Sequence, residues 1–173
     1  MFEGQHETGI DPKGRVGLLQ RYRELFDQTV TVFKRRDHLV VSGPEHFEKL
    51  VGFAGKKLSF EHEQGVRSFF DPKLQRDRRY FFGNKFDLGF DGQGRLTIPK
   101  TLRDAVDLYD EAVWVGCGEY LELWAKKHFL ADCARWEQAG GFDMMFGSST
   151  PAPYPPPADE DGDPGDWGDV GRG

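Results

Sequence analysis

The stretch Asp91-Gly92-Gln93-Gly94-Arg95-Leu96-Thr97-Ile98-Pro99 decides the fold, because an earlier part of the chain repeats its beginning. Asp11-Pro12-Lys13-Gly14-Arg15 stands 80 positions before it, with the same aspartate, second glycine and arginine. The residues around the two stretches match at the same offset: Phe2 with Phe82, Gly9 with Gly89, Val16 with Leu96, Leu18 with Ile98, and Arg23 with Arg103. Further along, His46-Phe47 matches His128-Phe129 at an offset of 82, so the second copy carries a two-residue insertion. Two copies of one unit are too few for a solenoid array and predict a fused pseudo-dimer with two arginine-bearing turns.

Hydrophobic periodicity predicts the same order of elements in each copy. The first copy reads as strands at 1–10 and 16–19, a short helix at 21–26, and strands at 29–34 and 39–42. The second reads as strands at 84–90, 95–98, 112–116 and 120–124, with helices that begin near Pro99 and at about residue 126. Between the copies, Asp71 before Pro72 is a good N-cap and first-position pair, which predicts a helix through about Tyr80.

The end of the chain differs in composition from the rest. Residues 147–173 are rich in Pro, Gly and Asp, and they carry −5 of the net charge of −6. A segment of this kind buries too little apolar surface to offset its ordering entropy, so we expect it to be disordered. The remainder of the chain is nearly neutral, which means that any basic binding surface must be local.

Several functional classes find no support in the sequence. Cys117 and Cys133 give no disulfide framework, which favours a reduced cytoplasmic protein. Neither a signal peptide nor a run of about 20 apolar residues is present, so we expect no membrane association. The histidines and cysteines lack zinc spacing, and no phosphate-binding loop or nucleophile motif occurs. We therefore expect no metal, no cofactor and no catalysis.

The repeated Asp-x-x-Gly-Arg turn has a physical rationale as a binding tip. Glycine accepts the left-handed backbone that projects the next side chain away from the sheet, so Gly14 and Gly94 are predicted to shape the loops. Asp11 and Asp91 would accept backbone N–H groups or hold the arginine by a charge-assisted pair. An arginine oriented in this way fits a phosphate or the acceptor edge of guanine. The alternative is an ordinary β-turn with a surface ion pair, and a repeated unit would repeat that too.

The motifs together resemble the MraZ family. Met1-Phe2-x-Gly4 followed by Ile10-Asp11-x-Lys13-Gly14-Arg15 is similar to the start of that family, and Phe90-Asp91-Gly92-Gln93-Gly94-Arg95-Leu96-Thr97-Ile98-Pro99 to its second motif. Val115-Gly116 with Glu122-Leu123-Trp124 extends the likeness, which covers roughly residues 1–146. The resemblance implies an α/β, β-rich fold of two tandem AbrB-like ββαββ-type units, with a pseudo-two-fold β-barrel core and flanking helices. The first unit would span 1–47, a helical connector 48–81, and the second unit 82–146.

The resemblance also implies a function. Members of this family are bacterial DNA-binding transcriptional regulators of the division and cell-wall gene cluster, acting on promoter direct repeats upstream of their own operon and assembling into a ring. The chain would then be a nucleoid-associated protein of the cytoplasm, with double-stranded DNA and further copies of itself as partners. The family's DNA-contacting motif falls on Asp11, Lys13 and Arg15, and on Asp91 and Arg95. Among these, Lys13, Arg15 and Arg95 are the predicted DNA contacts.

A second reading stays open. The near-neutral body and the acidic, Pro-rich end also suit a protein-interaction module of the same fold, like an antitoxin that docks its acidic segment on a partner. Gln93 stands where the first copy has Lys13, so the second tip is the less basic of the two. Salt dependence separates the two readings, because binding to DNA weakens steeply with added salt.

Overall fold

A computed structural model describes residues 1–49 and 71–141, and Met1–Leu130 form one compact unit within it. The first copy contains β1 Gln5–Gly9, β2 Arg15–Gly17, α1 Gln20–Arg23, β3 Thr29–Arg35 and β4 His38–Ser42. Helix α2, Pro72–Gly83, precedes the second copy. That copy contains β5 Lys85–Gly89, β6 Arg95–Thr97, α3 Lys100–Ala105, β7 Glu111–Gly116, β8 Leu121–Ala125 and α4 Lys126–Gln138. The predicted order of elements and the mixed α/β class are confirmed.

The two copies exchange their first strands. Strand β1 of the first copy pairs antiparallel with β7 of the second, and β5 of the second pairs antiparallel with β3 of the first. Strands β4 and β8 pair in the middle, which gives a six-stranded sheet in the order β1-β7-β8-β4-β3-β5. Strands β2 and β6 pair separately as a two-stranded antiparallel ribbon. Each half of the sheet is therefore completed by the first strand of the other copy.

The register of the strand pairs indicates an internal pseudo-two-fold axis. Val40 lies opposite Glu122 in the central pair of the sheet, and Val16 lies opposite Leu96 in the ribbon. Each of these pairs joins equivalent positions, at the offsets of 82 and 80 residues that the sequence repeat gives. The pairing is therefore symmetric about these two positions, as a pseudo-two-fold relation between the copies requires.

The sheet differs from the expected barrel core. Its order is open, with β1 at one edge and β5 at the other, and no pairing between these two strands is present in the described ranges. The reason is that β2 and β6 form hydrogen bonds with each other. They cover one face of the sheet as a ribbon and do not bridge its edges.

The main core lies between this ribbon and the six-stranded sheet. The inward side chains of the ribbon, Val16 and Leu96, are fully buried. They belong to one cluster with side chains from the sheet and from both short helices: Val32, Leu39, Val41, Tyr22, Leu102, Trp114, Leu121 and Leu123. Trp114 also donates its indole N–H to the carbonyl oxygen of Gly17 at 2.8 Å, which ties the ribbon to β7.

The opposite face of the sheet carries a second, smaller cluster. Phe33, Val40 and Phe47 are buried there, and Phe81 of α2 packs against them. Asp71 caps α2 as predicted, since its Oδ1 accepts from the backbone N–H of Lys73 at 2.8 Å. The packing of Phe81 on Phe33 and Phe47 places α2 against the face of the sheet that lies away from the ribbon.

The remaining described residues complete the chain. Pro99, which was predicted to lie near the first position of a helix, is the N-cap of α3, one position before its first residue, Lys100. In the second compact unit, Ala131–Gly173, Arg135 Nη2 donates to Asp132 Oδ1 at 3.1 Å within α4. Within the described ranges, no helix is both long and apolar enough to cross a bilayer. The acidic segment 147–173 and most of the predicted connector lie outside the described residues.

The buried contact between ribbon and sheet yields a stability prediction. Leu96→Ala should lower the free energy of unfolding by about 2–5 kcal/mol, because the ribbon cannot collapse into the cavity that the change leaves. Leu130→Ala deletes the same atoms from a side chain that is 58% exposed, and it should cost less than about 0.5 kcal/mol. Urea unfolding followed by circular dichroism measures both. Equal losses in the two variants would contradict a core beneath the ribbon.

Candidate nucleic-acid interface

The ribbon has one buried face and one exposed face. Because side chains alternate along a strand, the burial of Val16 and Leu96 places their neighbours on the outer face. Each strand contributes two residues to that face, namely Arg15 and Gly17 from β2, and Arg95 and Thr97 from β6. The predicted DNA contacts Arg15 and Arg95 therefore lie on the same exposed surface, although 80 residues separate them in the chain.

The hydrogen bonds of the ribbon fix how these four residues face one another. The Ile98 N–H donates to Gly14 O at 2.9 Å, and the Leu18 N–H donates to Gly94 O at 3.4 Å. These bonds flank the opposed pairs Arg15–Thr97 and Gly17–Arg95, so both are non-hydrogen-bonded pairs, in which side chains stand closest, with Cα atoms about 4.5 Å apart. Arg15 and Arg95 are then diagonal neighbours, about 7–8 Å apart.

The first tip is a tight turn closed by its own aspartate. Asp11 Oδ1 accepts from the backbone N–H of Lys13 at 3.0 Å and of Arg15 at 2.9 Å. Its Oδ2 accepts from Arg15 Nε at 2.5 Å. The Gly14 N–H donates to the Asp11 carbonyl at 2.8 Å and completes the turn. The Arg15 side chain keeps 32% of its surface exposed, so its guanidinium is oriented but still accessible.

The second tip repeats these bonds and adds one contact between the arginine and the aspartate. Asp91 Oδ1 accepts from the backbone N–H groups of Gln93 and Arg95, each at 2.9 Å. Its Oδ2 accepts from Arg95 Nε at 2.8 Å and lies 2.8 Å from Arg95 Nη2, so two nitrogens of the guanidinium approach one carboxylate oxygen. The Gly94 N–H donates to the Asp91 carbonyl at 2.8 Å. The Arg95 side chain is 28% exposed.

The tip carboxylates are held in their charged form. The backbone N–H of Arg95, followed by its side chain, lowers the pKa of Asp91 to about 2. The backbone N–H of Arg15 likewise lowers the pKa of Asp11 below its ordinary value. Both ion pairs therefore persist at neutral pH, and each arginine keeps a fixed direction.

Each tip is braced by an arginine of the other copy. Gly14 has φ +80° and Gly94 has φ +74°, a backbone region that only glycine adopts at low cost. A Cβ atom at Gly14 would overlap the Arg103 guanidinium, and a Cβ atom at Gly94 would overlap that of Arg23. Both glycines are thus required by their backbone conformation and by the close approach of a side chain.

These bracing arginines are the site residues that sequence reasoning missed. Arg23 and Arg103 match each other in the repeat, and that identity was the available signal. Arg103 Nε donates to the Ile98 carbonyl at 3.1 Å, whereas Arg23 Nε is buried with no hydrogen-bond partner within the described ranges. Together with Arg15 and Arg95, they place four guanidinium groups in or against the two tips.

The structure gathers the predicted site residues into the two tips. Asp11, Gly14 and Arg15 meet in one tip, and Asp91, Gly94 and Arg95 meet in the other. The side chains of Lys13 and Gln93 stand at the exposed crests of these turns. The contact of Lys13, Arg15 and Arg95 with DNA stays a prediction.

The glycine geometry gives a prediction with a control in the same turn. Gly94→Ala should lower the free energy of unfolding by roughly 1–2 kcal/mol for the left-handed backbone alone, and more if Arg23 is displaced. Gly92→Ala should be neutral or slightly stabilising, because its φ is not positive and a Cβ atom there meets no other atom within 4 Å. Chemical denaturation of the two variants tests this difference. A Gly94→Ala protein as stable as Gly92→Ala would contradict the described tip.

Backbone N–H groups and the Arg95 side chain both lower the pKa of Asp91, which gives a second prediction. The carboxyl carbon of Asp91, followed by NMR, should titrate with a pKa of about 2. In Arg95→Gln the pKa should rise only part of the way to 3.8, because the backbone donors remain in place. Since the pKa is lowered on folding, the stability due to Asp91 is fully present above about pH 4 and is lost as the pH falls towards 2. A full return to 3.8 in Arg95→Gln would mean that the guanidinium alone holds the carboxylate.

Comparison with known proteins places the chain in a family. The model of the family described as "MraZ protein, putative antitoxin-like" matches residues 81–139. A protein of Nitrosomonas eutropha named Transcriptional regulator MraZ is 34% identical over 146 residues, which cover 79% of this chain and 84% of the relative. Proteins of the same name from Carboxydothermus hydrogenoformans and Pelotomaculum thermopropionicum are each 32% identical, and the matches cover 82% and 88% of those relatives and 73% and 78% of this chain. The resemblance read from the two tip motifs is confirmed, and the chain belongs to the MraZ family.

Proposed function

We propose that this chain is a sequence-specific DNA-binding transcriptional regulator that places the outer face of its β2–β6 ribbon in the major groove. One observation carries the proposal, namely that two arginines, each held by its own aspartate, lie side by side on an exposed antiparallel ribbon. The major groove, about 12 Å wide, admits a two-stranded ribbon of this kind. The relatives are named as transcriptional regulators, and these names support the same conclusion.

The spacing of the arginines suits base reading. The diagonal separation of their Cα atoms, about 7–8 Å, corresponds to roughly two base-pair steps of 3.4 Å each. A guanidinium whose direction is already fixed loses little entropy when it forms the bidentate bond to guanine O6 and N7. Arg15 and Arg95 are therefore the proposed base readers, and Asp11 and Asp91 orient them without contacting DNA.

The other cations of the tips would add to the attraction for the phosphate backbone. Lys13 stands at the exposed crest of the first tip, where an ammonium group is well placed for a phosphate. Arg23 and Arg103 add positive charge beneath the tips. A chain with a net charge of −6 attracts DNA weakly as a whole, so these local cations supply the attraction.

The finer features of the proposal rest on the family. Residues 1–47 and 82–146 are the two DNA-binding repeats, residues 48–81 connect them, and 147–173 form an acidic extension. The targets are short direct repeats in the promoter of the chain's own operon, within the division and cell-wall gene cluster. A ring-shaped homo-oligomer would engage several repeats at once and gain affinity by multivalency. The protein acts without catalysis or cofactor in the cytoplasm, at the nucleoid.

A second candidate is an antitoxin-like protein-interaction module. The description of the matching family supports it, and so does the charge of the segment 147–173. In that case the ion-paired arginines would be structural, and the binding partner would be a protein.

The two candidates are separated by arginine variants. Arg15→Ala and Arg95→Ala should each weaken binding to a duplex from the region upstream of the gene about 5- to 150-fold, the equivalent of about 1–3 kcal/mol per bidentate contact. Lys127→Ala is the control, because it removes one exposed cation that pairs with Asp107 and lies outside the ribbon. Fluorescence anisotropy at several salt concentrations gives affinity and salt slope, and circular dichroism checks folding.

The outcomes are distinct. Wild-type protein should bind this duplex more tightly than a scrambled one, and its affinity should fall steeply with salt, by about 0.9 logarithmic unit per phosphate contact for each tenfold change. Wild-type affinity in both arginine variants would reject the ribbon as the reading surface. Absence of salt-dependent binding in the wild type would favour the protein-interaction module.

A further inference from the structure

The outer face of the ribbon breaks the internal symmetry at one pair of positions. Arg15 and Arg95 are equivalent under the pseudo-two-fold axis, but Thr97 occupies the place that corresponds to Gly17. Thr97 is exposed and lies directly opposite Arg15, whereas Gly17 lies opposite Arg95. Each arginine therefore has a different neighbour. The meaning of this asymmetry for DNA reading rests on the function proposed above.

Thr97 is placed to contact a base beside the one that Arg15 contacts. The two residues form a non-hydrogen-bonded pair, in which Cα atoms stand only about 4.5 Å apart and both side chains leave the ribbon in the same direction. Threonine offers a hydroxyl group for a base-edge donor or acceptor and a methyl group for the C5-methyl of thymine. No hydrogen bond of the Thr97 side chain occurs within the described ranges, so its hydroxyl is available.

Gly17 leaves the equivalent place beside Arg95 without a side chain. Steric crowding is not the cause, because a Cβ atom at Gly17 would meet no other atom within 4 Å. Backbone strain is not the cause either, since Gly17 is not among the glycines with positive φ. The carbonyl of Gly17 is held by the Trp114 indole at 2.8 Å, and a larger residue would keep that bond.

We propose that Thr97 is a specificity-determining residue and that the ribbon consequently reads DNA with one polarity. The base pair beside the Arg15 contact is read by Thr97, and the pseudo-equivalent base pair beside the Arg95 contact is not read by any side chain. The DNA site of one chain is then only partly symmetric. The two base pairs that the arginines contact are alike, but selectivity at the flanking base pairs is confined to the Thr97 side. The residues at the crests of the two turns add to this asymmetry. Lys13, on the Arg15 side, would contact a phosphate, and the equivalent Gln93 would not.

The test measures base preference position by position. Wild-type protein and three variants, Thr97→Gly, Gly17→Thr and the double exchange, are titrated against duplexes that hold the DNA site of one chain. Each duplex carries a single base-pair substitution, and unlabelled competition gives relative affinities. Wild type should lose about fivefold or more on substitution of the Thr97-side base pair, since a mismatch in a read position costs at least that much. The mirror-related base pair should tolerate substitution.

The variants should move this preference in a defined way. Thr97→Gly should flatten the preference on the Arg15 side, and Gly17→Thr should create one on the Arg95 side. The double exchange should give the mirror image of the wild-type profile, with the selective position transferred across the pseudo-two-fold axis. Thr97→Val, which keeps the shape and removes the hydroxyl, tells whether the hydroxyl or the methyl carries the preference. Should Thr97→Gly fail to fold, Thr97→Ala and Gly17→Thr still test the same profile.

Failure of this inference is distinguishable from failure of the proposed function. Variant profiles that superimpose on the wild-type profile, while Arg15→Ala still abolishes the preference at its own position, would overturn the role of Thr97 alone. A wild-type protein with no base preference at any position, unchanged by Arg15→Ala, would reject the DNA-reading function itself. A mirrored profile in the double exchange would support both.

Discussion

The exchange of first strands between the two copies is the constraint on which the rest of the structure depends. Strand β1 completes the sheet half that β7 and β8 begin, and β5 does the same for β3 and β4. Because each first strand leads directly into a tip and then into the ribbon, the exchange also brings β2 and β6 together over the core. The side-by-side arrangement of Arg15 and Arg95 is thus a consequence of how the large sheet is built.

The local and global parts of the site support each other. Each aspartate–arginine pair spans four residues and needs only its own turn. The glycine inside that turn, however, is covered by Arg23 or Arg103, which belongs to the opposite copy. The tips are consequently rigid for two independent reasons, and a change in the short helix of one copy reaches the binding tip of the other. This cross-bracing suits a surface that must present two guanidinium groups at a fixed spacing.

The features that depend on residues close together in the chain could be predicted from the sequence. The Asp-x-x-Gly-Arg turns, the cap at Asp71 and the alternation of the strands are set by residues a few positions apart. The exchange of strands was harder to predict, because β1 has the same pattern whether it pairs with β3 of its own copy or with β7, about 105 residues away. Arg23 shows the same difficulty, since it lies close to Gly14 in the chain yet covers Gly94. The open sheet also differed from the barrel that the family resemblance suggested, because β2 and β6 pair with each other as a separate ribbon, which the isolated bridge between Ile10 and Val16 links to the end of β1.

Strand exchange also has a consequence for synthesis on the ribosome. At about 5–20 residues per second, roughly 5–20 seconds separate the emergence of β1 from that of its partner β7. Between the emergence of β4 and that of β5, the hairpin of β3 and β4 exists without either of its neighbours in the sheet, β5 and β8, and its unpaired edges are open to other chains. Pairs so distant in sequence fold slowly, because loop closure comes before any gain from contact. A nascent chain with this topology therefore completes its sheet late and nearly in one step, when the second copy emerges from the ribosome.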